Sequence, residues 1–191
     1  MAKTLSTMLP LGTSAPEFSL MDIDGKIKKL QDFADAKAYL IMFICNHCPY
    51  VIHVRETLVK VTEEFQAKGV AVIAINSNDP QEYPEDSPTQ MKALAQQYHF
   101  RFPYLFDESQ AVAKAYRAAC TPDFFVFDRK RLLVYRGQMD ESRPGNAKPN
   151  DARDLRSALI HALEQKPISP EQKPSMGCNI KWRSGNEPSY Y

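Results

Sequence analysis

The sequence predicts an α/β fold built around a largely parallel sheet, and three stretches carry this reading. Residues 38–44 are continuously apolar without alternation, the pattern of a strand buried on both faces. Over residues 49–68, Val51, Val54, Leu58, Val61 and Phe65 recur every three or four positions and make one apolar helical face. Gly69 follows where a C-cap glycine belongs. Residues 70–75 form a second apolar run. Strand, helix, strand in this order is a βαβ unit.

The other elements follow in chain order. Residues 17–21 and 26–30 flank an Asp24-Gly25 turn and read as a small hairpin. Residues 76–88 read as a polar surface loop, its carboxylates, Asp86 among them, solvated. Ser87-Pro88-Thr89-Gln90 has the form of a capping box with proline at the first helical position. Met91, Leu94, Ala95 and Tyr98 would line the helix after it. Residues 104–106 make a short strand, and Asp107 can cap a helix over 111–116. Residues 123–127 and 132–136 read as an antiparallel pair, and Leu155, Leu159, Ala162 and Leu163 mark a last helix over 152–163. Beyond Lys166 the texture turns polar and proline-punctuated. The organisation expected is one domain over 1–165 and an arm over 166–191 docked through Ile180 and Trp182.

Composition narrows the function classes. The 191 residues carry 24 Lys+Arg and 23 Asp+Glu, so no global field favours nucleic acid or an anionic membrane. The longest apolar run, 38–45, is far short of the roughly 20 residues a membrane span needs. The first ten residues lack the apolar core of a secretory signal. A cytoplasmic location is expected. Four cysteines make no disulfide scaffold. Two of them, Cys45 and Cys48, form a C-x-x-C, which in a reducing compartment is a redox motif or half of a metal site.

The redox reading follows from position. Cys45 ends a central strand and Cys48 precedes a helix, so both lie at the carboxyl edge of the sheet. A helix N-terminus stabilises a thiolate, and a protonated His47 between the two cysteines would further stabilise Cys45 as the low-pKa thiol. A structural zinc needs four ligands, and no second knuckle exists. Pro49 stands where a c-type haem motif requires histidine. No metal or other cofactor is expected. Thr121-Pro122 enters a predicted strand, an ordinary place for proline. Cys120 reads as a small buried hydrophobe or a further redox thiol. Cys178 reads as an unreactive tail thiol or a tethered thiol, with Cys120 as its first-named partner.

Strand, C-x-x-C, helix, then Thr-Pro entering a hairpin and a C-terminal helix together resemble the thioredoxin superfamily. The added hairpin and the inserted strand and helix at 104–116 resemble its peroxiredoxin-like (AhpC/TSA) and TlpA/ResA-like branches. Phe43-Ile-Cys-Asn-His-Cys-Pro-Tyr-Val51, Ile75-Asn-Ser-Asn-Asp79, Tyr83-Pro-Glu-Asp-Ser-Pro88, Cys120-Thr-Pro-Asp-Phe-Phe125 and Pro174-Ser-Met-Gly-Cys-Asn-Ile-Lys-Trp182 are similar to a bacterial family of peroxiredoxin-like thiol-disulfide isomerases. The resemblance implies a thioredoxin-like fold and a thiol-disulfide oxidoreductase. Cys45 would be the nucleophile, Cys48 the resolving cysteine, and Thr121 with a cis-bonded Pro122 the substrate-guiding loop. It implies protein or small-molecule disulfides as substrates and a thiol reductant as donor, with no nucleic acid or membrane. Two departures stand out. Tyr39 replaces the strand acid of thioredoxins, leaving water, His47 or Asp123 as the base for Cys48. Aligned on Cys48, the peroxiredoxin pattern P-x-x-x-[TS]-x-x-C meets Ile41 and Cys45 instead of its proline and hydroxyl. The alternatives are a thiol peroxidase and a non-catalytic, thiol-based metal-binding module.

Overall fold

A computed structural model describes residues 3–190. In chain order the elements are β1 (Lys3–Leu5), β2 (Ser19–Asp22), β3 (Ile27–Lys29), β4 (Ala38–Phe43), α1 (Pro49–Ala67) and β5 (Val70–Asn76). There follow α2 (Pro88–Gln97), β6 (Tyr104–Phe106), α3 (Ala111–Ala115), β7 (Cys120–Thr121), β8 (Asp123–Phe127), β9 (Leu133–Gly137), α4 (Arg153–Leu163) and β10 (Met176–Asn179). Seven strands form one sheet in the order β3-β2-β6-β5-β4-β8-β9, and β1-β10-β7 form a second. The large sheet is mixed where a largely parallel one was expected. Only β4–β5 and β5–β6 run parallel; β2–β3 and β8–β9 pair antiparallel as hairpins, and β2–β6 and β4–β8 pair antiparallel between segments distant in the chain. Among the described residues no helix is long and apolar enough to cross a membrane.

The apolar run that suggested a doubly buried strand is one. All six residues of β4 are buried, and they divide by parity. Leu40 and Met42 join a core with Val51, Leu58 and Phe65 of α1 and Leu155 and Leu159 of α4. Tyr39, Ile41 and Phe43 join a second core with Leu30, Tyr116, Phe125 and Trp182. Successive side chains of a strand point to opposite faces, so one uninterrupted apolar segment serves both layers. Cys45 and Cys48 continue the first core. At α2 the expected capping box is not formed: Ser87 is the N-cap but makes no side-chain cap bond. Asp107 does bond the amides of Val112 and Ala113 at the start of α3.

β1 and β10 were not legible in the sequence, and they determine what covers the site. β10 inserts between β1 and the two-residue β7, with Cys178 opposite Thr121 and Asn179 opposite Cys120. A polar knot fastens it. The Ser6 hydroxyl donates to Asp123 at 2.6 Å and accepts the Ser175 amide at 3.0 Å. The Ser175 hydroxyl donates to the Pro122 carbonyl at 2.6 Å. Beyond β10, Ile180 and Trp182 are buried in the second core. Gly177 permits the approach, since a Cβ there would lie 1.9 Å from the Thr121 carbonyl oxygen.

Gly177→Ala is therefore expected to weaken the docking of β10 by about 1–3 kcal/mol, the usual range for overpacking. At about 1.4 kcal/mol per factor of ten, native-state thiol labelling should quicken roughly tenfold to hundredfold. Labelling at the wild-type rate would show that β10 does not control access to the buried sulfurs.

Candidate redox site

The site forms where β4 ends and α1 begins. Cys45 lies two residues past β4, and Cys48 is the N-cap of α1 with Pro49 at the first helical position. The cis Thr121–Pro122 bond brings the end of β7 against both sulfurs. Thr121 Oγ1 is 3.3 Å from Cys45 Sγ, and the Thr121 carbonyl accepts the Cys48 S–H at 3.1 Å. Both cysteines are fully buried. Thr121 thus adjoins both sulfurs, with Pro122 next in the chain.

The two residues between the cysteines are pinned by a carboxylate read in the sequence as solvated. Asp86 is wholly buried. It accepts the Asn46 amide at 2.7 Å, the Asn78 side-chain amide at 2.7 Å, and pairs with His47 Nδ1 at 2.7 Å. The loop folds inward because the Asn46 backbone amide, the Asn78 side-chain amide and a potential cation at His47 give the carboxylate partners that water would otherwise supply. Arg55 donates to the Asn46 carbonyl and Tyr104 to the Asn46 side chain, fixing the motif from the other side. His47 stacks on Tyr83, with ring centroids 5.1 Å apart at 8°. Lys181, just past β10, lies over the other neighbour in this stack, 5.5 Å from the Tyr83 ring.

Charge in the pair differs from the expectation. Cys45 is pushed well up, first by burial, then by its bond to Cys48 and by the negative charge of Asp86. Cys48 is held down to about 5, first by the Cys45 thiol beside it and further by Cys178, the Val51 amide and Thr121, against burial. The two thiols are coupled: loss of a proton is favoured at Cys48, whose S–H the Thr121 carbonyl accepts while it is protonated. His47 pairs with Asp86, which raises the histidine's pKa, and a nitrogen of its ring lies within 4.8 Å of the Cys45 sulfur.

The remaining candidates separate by face. Cys178, opposite Thr121, shares the face of the pair and lies in one buried cluster with Cys45 and Cys48, whereas Cys120 was the partner first named for it. Cys120 is buried, with its sulfur 3.7 Å from the Pro122 carbonyl. Asp123 is raised to about 7 by burial and is bonded to Ser6 and Ala119. Tyr39 sits in the second core and donates to the Phe33 carbonyl. Cys45, His47 and Asp86 present donor atoms within 4.8 Å of one another and could take a metal ion, although Asp86 is already engaged by three groups. Asp86 is the site residue the sequence reading missed. Its only signal was its place in the Tyr83–Pro88 motif.

The His47–Asp86 pair carries a pH signature. Because the folded-state pKa of His47 is raised, the pair's contribution to stability is complete below about pH 6.5 and is lost as pH rises through the folded value. In urea titrations, the stability gap between wild type and His47→Phe, which keeps a ring on Tyr83, should narrow between about pH 6 and about pH 9. A gap independent of pH would contradict the pairing.

The chain is similar to known proteins in sequence and fold. The AhpC/TSA family profile matches residues 11–136. The Thioredoxin-like protein YneN of Bacillus subtilis is 30% identical over 122 residues, 64% of this chain and 68% of that protein. The Thiol-disulfide oxidoreductase ResA of Geobacillus thermodenitrificans is 24% identical over 128 residues, 66% of this chain and 68% of that protein. The crystal structure of an uncharacterized conserved protein from Geobacillus kaustophilus superposes with a TM-score of 0.93 at 52% identity, covering 96% of this chain and 97% of that one. With a thioredoxin-like fold and a profile match over most of its length, the chain belongs to the AhpC/TSA family of the thioredoxin superfamily.

Proposed function

We propose that this chain is a thiol-disulfide oxidoreductase working through Cys45 and Cys48, in the reducing setting of the cytoplasm. The observation that carries the reading is two buried sulfurs, Cys45 and Cys48, at the start of α1 and both held against Thr121. Family membership and the likeness to ResA support it.

The chemistry begins with the Cys45 proton. Its transfer from Cys45 to Cys48 creates the Cys45 thiolate, and the new Cys48 S–H has the Thr121 carbonyl 3.1 Å away to receive it. Cys48 is thus the base, which accounts for a site that has Tyr39 in place of a strand acid and Asp123 tied to Ser6. The Cys45 thiolate attacks a substrate disulfide, and a mixed disulfide forms as the substrate S–S bond breaks. Cys48 passes its proton to the departing thiolate and attacks Cys45, which releases the second substrate sulfur as a thiolate, protonated by water, and leaves a Cys45–Cys48 disulfide. A thiol reductant restores the dithiol by the reverse exchange. The substrates are protein or small-molecule disulfides. Both sulfurs are buried and Cys178 of β10 packs in their cluster, so we take a protein substrate to reach them when β10 lifts from β7.

Insulin reduction should be abolished by Cys45→Ser. In Cys48→Ser the first attack at pH 7 should slow by about a hundredfold or more, the contribution typical of a general base. A mixed disulfide on Cys45 should then accumulate as pH is raised. A mixed disulfide that instead collects on Cys48 in Cys45→Ser would reverse the order of attack.

Hydrogen peroxide consumption should be negligible beside insulin reduction, since Cys45 occupies the position where a peroxiredoxin places its orienting hydroxyl. The opposite ranking would favour a thiol peroxidase.

A further inference from the structure

The redox pair has a third sulfur built against it. β10 packs on α1 as well as on β7, and Cys178 lies in the same buried cluster as Cys45, Cys48 and Val51. Its register partner is Thr121, the residue that touches both Cys45 and Cys48. Residues directly opposite in an antiparallel pair share a face, with Cβ atoms about 4.5–5.5 Å apart. The Cys178 side chain therefore shares with Thr121 the face that packs on the redox pair, in one buried cluster with Cys48. Two features hold this register. Gly177 leaves no space between the strand and the Thr121 carbonyl, and Ser175 is tied to Pro122 and Ser6.

We infer that Cys178 is a third exchanging thiol of this site, attacking Cys48 of the Cys45–Cys48 disulfide to form a Cys48–Cys178 disulfide and free Cys45. The inference rests on the proposed oxidoreductase reading, which supplies the starting disulfide. The step is balanced. The Cys45–Cys48 bond breaks, the Cys48–Cys178 bond forms, and the Cys178 proton passes to Cys45, the leaving sulfur. One disulfide exists before and after, so no further oxidant or reductant is consumed. In the dithiol, Cys178 stays protonated, pushed up to about 12 by burial and by its bond to Cys48. Oxidation of the pair removes the charge on Cys48 and with it one cause of that elevation. The product fastens β10 covalently over the site and holds Cys45 reduced beneath it.

The test uses the full chain equilibrated in glutathione redox buffer, quenched with acid and mapped as non-reduced peptides. Wild type should yield Cys45–Cys48 and Cys48–Cys178 peptides. Cys45→Ser should yield intramolecular Cys48–Cys178 in monomers on non-reducing gels, and Cys178→Ser should yield Cys45–Cys48 alone. The inference is overturned if Cys48 in Cys45→Ser appears only as a glutathione adduct or free thiol while Cys178 stays fully alkylatable, and wild type likewise yields only Cys45–Cys48. That outcome leaves the oxidoreductase reading standing. Absence of a Cys45–Cys48 disulfide in wild type would sink both. The wild-type map requires no substitution, so it decides the matter even if a variant fails to fold.

Discussion

Thr121 is the constraint on which the site depends. Its hydroxyl touches Cys45, its carbonyl receives the Cys48 thiol, and its backbone pairs with β10 at Cys178. The cis bond to Pro122 then turns the chain into β8, which pairs with β4 up to Phe43, two residues before Cys45. The sulfurs and the residue that contacts them are therefore anchored to adjacent strands of one sheet. Movement at β7 is transmitted to both cysteines and to the arm.

Burying a thiolate is costly, and the surrounding groups show how that cost is offset. Cys48 has S–H and N–H donors around it and the start of α1 beneath it, which together outweigh its desolvation. The nearby carboxylate of Asp86 would repel a second negative charge, and it raises Cys45 accordingly. Asp86 is compensated by His47 and by two amide donors, so the anions sit on separate sulfur and oxygen networks. The stack of His47 and Tyr83, with Lys181 over the tyrosine, joins the carboxylate network to the arm. His47 and Lys181 of the arm thus contact the same aromatic ring.

What was legible in the sequence was what local pattern encodes. The apolar run through Leu40 and Met42, the helical spacing of Val51 to Phe65 and the Cys45-Asn-His-Cys48 junction were all read from residues near one another in the chain. Asp86 was misread because its burial depends on partners about forty residues away, and a run of polar residues looks solvated until those partners are placed. β10 was invisible for a similar reason. Met176-Gly-Cys-Asn179 has no strand periodicity, and it is a strand only because β1 and β7 flank it. The facing of Cys178 toward Cys48 and not Cys120 followed from register, and a one-residue slip would have reversed it. Charge placement on Cys48 likewise required the Cys45, Cys178 and Val51 donors to be known together.

The account turns on where the pair's single negative charge resides. The most direct measurement is the thiolate ultraviolet absorbance of the fully reduced chain as a function of pH. One thiolate should appear with a midpoint near 5, vanish in Cys48→Ser and persist in Cys120→Ser. A curve that stays flat until about pH 8.5, the ordinary thiol value, would contradict it.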